Sequence, residues 1–84
     1  MRAYPLQHTA DLGAACRHAR QALGLTLADA AGAAGVSFRF ASELERGKPS
    51  CQIERSLKYA QMLGIRFILE SPVDLPGAPP RRKW

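Results

Sequence analysis

Long apolar runs are missing from this 84-residue chain. No stretch approaches the roughly 18 consecutive apolar residues that a membrane-spanning helix needs, and the opening segment MRAYPLQHTADLG has no apolar centre of the kind a secretory leader carries. Both absences lead us to expect a cytoplasmic protein with no membrane partner. Cysteine is scarce: Cys16 and Cys51 are the only two, and they lack CxxC spacing. That excludes a disulfide framework and a cysteine-based zinc site, and both residues read as small helix side chains. His8 and His18 stand apart from any cluster of cysteines or carboxylates. The sequence contains no phosphate-binding loop, no nucleophile–base triad and no acid pair. The expectation is a protein that is not an enzyme and needs neither metal nor cofactor.

Acidic side chains are also few, seven against twelve lysines and arginines, for a net charge of +5. A basic balance suits a polyanion such as nucleic acid. The charge is unevenly placed, however: residues 1–70 hold nine basic and six acidic side chains, and Arg81, Arg82 and Lys83 add a basic cluster near the C-terminus. Hydrophobic residues form 46% of the chain, enough for a globular domain. A chain this short buries a modest core and gains from oligomerisation.

The periodicity divides the chain into an irregular arm over 1–8, a helical domain over 9–70 and a tail over 71–84. A first helix is expected to start near Thr9 or Asp11, either of which can cap it, with Leu12, Cys16, Ala19 and Leu23 as its buried stripe and Gly24 as its stop. A second follows the capping residue Thr26, with Asp29 three residues on, and is built of small residues from Leu27 to Ala34. Gly32 within it costs about 1 kcal/mol relative to alanine. Gly35 permits a sharp turn. A third helix, capped by Ser37, covers Phe38 to Arg46, with Ala41 and Leu44 on one face, and Gly47 and Pro49 end it. A fourth is expected from Cys51 to about Leu63, capped by Ser50, with Ile53, Leu57, Ala60 and either Met62 or Leu63 inward. Ile65, Phe67 and Leu69 then alternate like a β-strand. No other segment offers a partner strand, so a second copy of the chain is the simplest one. Four prolines, at 72, 76, 79 and 80, keep the tail out of the core.

Two short helices joined by a glycine turn, the second well capped, have the form of a helix-turn-helix. Ala31 is small enough for the helices to cross closely, and Ala30, Ala34, Val36, Ala41 and Leu44 wedge them together. Phe38, Arg39 and Ser42 fall on the outward face of the second. Arg39 has the fork that pairs with guanine O6 and N7, and a phenylalanine here can touch a thymine methyl. Either Phe38 or Phe40 can be the aromatic that faces out. Glu43 and Glu54 read as solvated helix faces. Trp84, the only tryptophan, follows the basic cluster at the end of a proline-rich segment. It suits an anchor for a partner's pocket or an incidental terminus.

The stretch LGLTLADAAGAAGVSFRFASELERGKPS resembles the Xre/Cro/C1-type helix-turn-helix family. Its segment GVSFRFASELERGKP is most similar to the HipB-like antitoxin branch. The resemblance spans about residues 11–70. It implies an all-α, lambda-repressor-like bundle of four to five helices with a C-terminal dimerising β-strand at Ile65, Phe67 and Leu69. It also implies a structural ion pair between Arg20 and Glu45, and DNA contacts from Thr26, Ser37, Phe38, Arg39, Ser42, Arg46 and Lys48. The functional expectation is a homodimeric repressor of a DNA operator, acting as antitoxin to a HipA-like kinase toxin, with Arg81, Arg82, Lys83 and Trp84 as a partner-binding tail. The chain departs from the family at Leu27, where a glutamine usually anchors a phosphate, and at Ala41, where a larger aliphatic residue is usual. Two other readings remain: a stand-alone regulator without a toxin, and a protein-interaction module with weak DNA binding.

Overall fold

A computed structural model describes residues 1–49 and 52–76. They form four helices: α1 Thr9–Ala22, α2 Leu27–Ala34, α3 Phe38–Glu45 and α4 Ile53–Met62. α3 packs on both α1 and α2, and α4 closes the bundle against α2.

Local chemistry sets most helix ends. At α1 the cap position falls on His8, not on Thr9 or Asp11. Thr9 is the first helical residue, and Asp11 works from inside the first turn: its Oδ2 accepts from the His8 N–H at 2.9 Å and the Gln7 N–H at 3.0 Å. These backbone donors hold the Asp11 carboxyl below its usual pKa, and an acid is favourable at this end of a helix. At α2 the capping box is complete, with Thr26 Oγ1 accepting from the Asp29 N–H at 3.0 Å. Gly35 follows at φ +71°, a left-handed conformation costly for residues with a Cβ, and turns the chain into α3. Ser37 Oγ then accepts from the Phe40 N–H at 3.0 Å. α4 begins at Ile53, two residues later than expected; Ser50 and Cys51 lie outside the described residues.

The core consists of Leu12 and Cys16 from α1, Ala30, Ala31 and Ala34 from α2, Phe40, Ala41 and Leu44 from α3, and Tyr59, Ala60 and Leu63 from α4 and its end. Two expected core stripes are corrected. Leu23 is 58% exposed, because α1 stops at Ala22 and the chain turns at Gly24, so that Leu25 packs inward instead. On α4 the inward face is Ser56, Tyr59, Ala60 and Leu63, while Ile53 is exposed and Leu57 only half-buried. That set follows the i, i+3, i+4, i+7 pattern of one helix face. Ser56 tolerates burial because its hydroxyl donates to the Gln52 carbonyl at 3.0 Å.

Backbone contact between α1 and α3 is set by Gly13, to which the sequence reading gave no role. A Cβ there would collide with the carbonyl oxygens of Leu44 and Glu45. The strand expected at Ile65, Phe67 and Leu69 is not formed: residues 65–70 carry no regular element, and no strand occurs among the described residues. Ile65 and Phe67 pack against the chain's own core, whereas Leu69 is 85% exposed. The alternation is therefore partly realised as burial, but a strand also needs a neighbouring backbone to bond with, and none is supplied among the described residues. Residues 1–8 and 71–76 are exposed, and none of the described helices is long and apolar enough to cross a membrane.

Candidate nucleic-acid interface

α3 has an exposed outer side. Its two aromatics separate cleanly: Phe40 is 9% exposed and part of the core, whereas Phe38 is 57% exposed. Phe38 is thus the outward aromatic, and Phe40 fills space beside the small Ala41. The Arg39 side chain stands almost wholly in solvent, Ser42 is half-buried and Arg46, at the C-cap, is exposed. Ser37 and Thr26 are exposed at the starts of α3 and α2, with their hydroxyl oxygens accepting capping bonds. Each hydroxyl keeps its proton to donate elsewhere. Leu27, at the start of α2, packs against the core and offers no polar group.

After α3 the loop bends at Gly47, φ +79°, where a Cβ would press on the backbone of Ala10 at 2.8 Å. This close passage carries Lys48 back towards α3, where its Nζ donates to Glu43 Oε2 at 3.1 Å. The same oxygen accepts from Arg39 Nε at 3.3 Å. Glu43 is therefore not a merely solvated side chain: it joins two of the cations on this face. The hydrogen bond from Lys48, then that from Arg39, keep its carboxyl below the usual pKa despite partial burial.

The opposite side of α3 is locked by a polar group of three. Arg20 grips Glu45 with two donors, Nε to Oε2 at 2.8 Å and Nη2 to Oε1 at 3.0 Å, and its Nη1 donates to the Leu25 carbonyl at 2.9 Å. Tyr59, fully buried on α4, donates its hydroxyl to Glu45 Oε2 at 2.6 Å. Desolvation pushes the Glu45 pKa up, but the hydrogen bonds from Arg20 and Tyr59 outweigh it and the net shift is downward. A buried acid is tolerated because it is both paired and hydrogen-bonded. Tyr59 escaped the sequence reading. The helical spacing of Ser56, Tyr59, Ala60 and Leu63 was the signal that would have found it. The arrangement ties the C-terminal end of α3 to α1 and α4, so the outer face is presented in a fixed attitude. Arg81, Arg82, Lys83 and Trp84 lie outside the described residues.

Comparison with known proteins agrees with this geometry. A sequence profile described as Helix-turn-helix matches residues 17–68. The chain is 41% identical over 63 residues to an uncharacterized HTH-type transcriptional regulator, y4mF, from Sinorhizobium fredii (strain NBRC 101917 / NGR234), covering 75% of this chain and 83% of that protein. Among solved structures it is similar to the clp gene regulator ClgR from C. glutamicum, with a TM-score of 0.61 and 36% identity over 75% of this chain and 81% of the other.

Proposed function

The chain belongs to the Helix-turn-helix family, and on that premise we propose that it is a sequence-specific transcriptional repressor that reads DNA with the outer face of α3. One observation carries the reading: Phe38 and Arg39 are exposed and Ser42 half-buried on a helix whose C-terminal end is fixed by Arg20, Glu45 and Tyr59, with Arg46 and Lys48 beside it. Both similar proteins, the HTH-type transcriptional regulator y4mF and the gene regulator ClgR, support it. Arg39 reads a guanine and Phe38 a thymine methyl, while Arg46, Lys48 and the hydroxyls of Thr26, Ser37 and Ser42 set the position of the backbone.

Two protomers place their α3 helices in successive major grooves, about 34 Å apart. The exposed apolar side chains Ile68 and Leu69, adjoining the core-packed Ile65 and Phe67, support pairing of two copies through this segment. The antitoxin role rests on the resemblance of GVSFRFASELERGKP to HipB-like proteins, and its partner is a HipA-like kinase held by the residues from Arg81 to Trp84. Copurification of such a kinase with the full chain, but not with a chain ending at Pro76, supports that role, and equal recovery with both removes the tail from it.

The test is titration of the purified protein onto the DNA just upstream of its own gene at several salt concentrations, beside an Arg39→Ala variant. With Arg46 and Lys48 each neutralising one phosphate per protomer, log K falls with log salt at a slope of roughly −3.6 for the dimer. Arg39→Ala lowers the preference for that DNA over random duplex by about 1–3 kcal/mol per half-site. Binding no tighter than to random DNA would overturn the reading in favour of a protein-interaction module.

A further inference from the structure

The outer face of α3 holds an acid, and the reading of that face as a DNA interface raises the question of what the acid does there. A carboxylate brought against phosphate repels it, and exposed ion pairs of the kind Glu43 makes contribute little to stability. Its geometry is specific nonetheless. One oxygen, Oε2, accepts from both Arg39 Nε and Lys48 Nζ, at 3.3 and 3.1 Å. Glu43 is the more sheltered partner, its side chain 24% exposed against 86% for Arg39 and 60% for Lys48. Arg39 is engaged through Nε, which leaves Nη1 and Nη2, the fork that grips guanine O6 and N7, uncommitted among the described residues.

We infer that Glu43 is a positioning residue for specificity: it braces the Arg39 fork for one guanine and, by neutralising part of the Arg39–Lys48 charge, holds down binding to DNA of any sequence. Non-specific affinity comes from cations meeting phosphates, whereas discrimination comes from donors held in register with base edges. Two cations sharing one carboxylate bring a single net positive charge to the backbone, and the one reading a base is held by its shaft while its fork stays free. The inference rests on the DNA-binding reading of α3 and adds the residue that sets its selectivity.

The experiment is parallel selection of binding sites from a pool of random duplex DNA by the full-length wild type, Glu43→Ala and Glu43→Gln, followed by titration of each on the wild type's selected site and on unselected duplex. Circular dichroism confirms that the variants are folded, which the exposure of the ion pairs leads one to expect. Both variants are expected to bind unselected duplex more tightly, with a salt slope steeper by about 1 per protomer. Glu43→Ala is expected to select the same motif with one guanine position relaxed, its preference there falling about fivefold or more. Folded variants that select an unchanged motif, with unchanged discrimination and salt slope, would overturn the inference and leave the DNA-binding reading standing. A wild type that enriches no motif sinks the DNA-binding reading itself, and the role of Glu43 goes with it.

Discussion

Gly13→Ala tests how tightly α1 and α3 are joined. In most helices this change is favourable, because alanine exceeds glycine in helix propensity by about 1 kcal/mol. Here a Cβ would sit 2.9 Å from the Glu45 carbonyl oxygen and 3.1 Å from its carbonyl carbon, and would overlap the Leu44 oxygen outright. These are backbone atoms and cannot turn aside. The Leu44 carbonyl is also committed to the Gly47 N–H at 2.9 Å, so moving it disturbs the loop that carries Lys48. Overpacking of this kind costs typically 1–3 kcal/mol, and the upper part of that range applies where no flexible side chain can yield.

After the propensity gain is subtracted, a net loss of about 1–2 kcal/mol remains, which lowers the melting temperature of so small a domain by roughly 5–15 °C. Gly32→Ala is the control of opposite sign. Gly32 lies inside α2 with nothing within 4 Å of its Cβ position, so the full propensity gain is realised and melting rises by about 4–8 °C. Thermal unfolding followed by circular dichroism at the helix band measures both. A Gly13→Ala protein as stable as wild type, alongside a stabilised Gly32→Ala, would refute the close approach of α1 to α3.

Two further predictions concern buried ionisable groups. The Glu45 carboxyl is held below its usual pKa in the folded chain, so its contribution to stability is present above the ordinary carboxylate range and is lost as pH falls through the folded value. Tyr59→Phe removes a hydrogen bond to a charged acceptor, costing about 1.5–3 kcal/mol near neutral pH, and its stability is expected to fall less steeply in acid than that of wild type. Urea unfolding of both proteins between neutral pH and the acid range checks this, and equal acid sensitivity would contradict it. Burial, then the negative charge of Glu45, push the Cys16 thiol up to about 12. In a Cys51→Ser background Cys16 is therefore expected to resist a thiol reagent at pH 8 until denaturant is added, and rapid labelling of the native protein would show that the bundle does not cover this face of α1.

What could be seen in the sequence was what is local. Thr26 with Asp29, Ser37, and the turn at Gly35 depend on residues three or four apart, and they stand where the spacing put them. What escaped depends on contacts between elements. Gly13 has no local signature, since its lack of a side chain matters only because α3 ends against it. The inner face of α4 was misread because Ser56 and Tyr59 carry hydroxyls that look like surface groups until their partners, the Gln52 carbonyl and Glu45, are in place. Leu23 and Ile53 erred the other way, as apolar residues at helix ends where the chain has already left the core or has not yet reached it. Alternation at Ile65, Phe67 and Leu69 pointed to a strand, but the first two pack on the chain's own core and Leu69 is exposed, because backbone pairing is a property of two segments and cannot be read from one.

The two glutamates of the SELE segment show how one short helix carries an anchored side and an open one. Glu43 and Glu45 are two residues apart, about 200° around a helix of 3.6 residues per turn, and so lie on nearly opposite sides of α3. Glu45 is sheltered, with both oxygens engaged by Arg20 and one also by Tyr59. Removing it would leave the largely covered Arg20 guanidinium with only the Leu25 carbonyl to accept from it, a destabilising change. Glu43 meets its partners at the surface, where ion pairs are weak and open to exchange with solvent or phosphate. The same residue type thus has opposite energetic weight on the two faces, and the difference follows from how much water surrounds each pair. A helix of only eight residues cannot hold its own attitude in isolation. It can present Arg39 reproducibly because the acid on its hidden side is fixed to two other helices, which leaves the acid on its open side free to act on Arg39 and Lys48 alone.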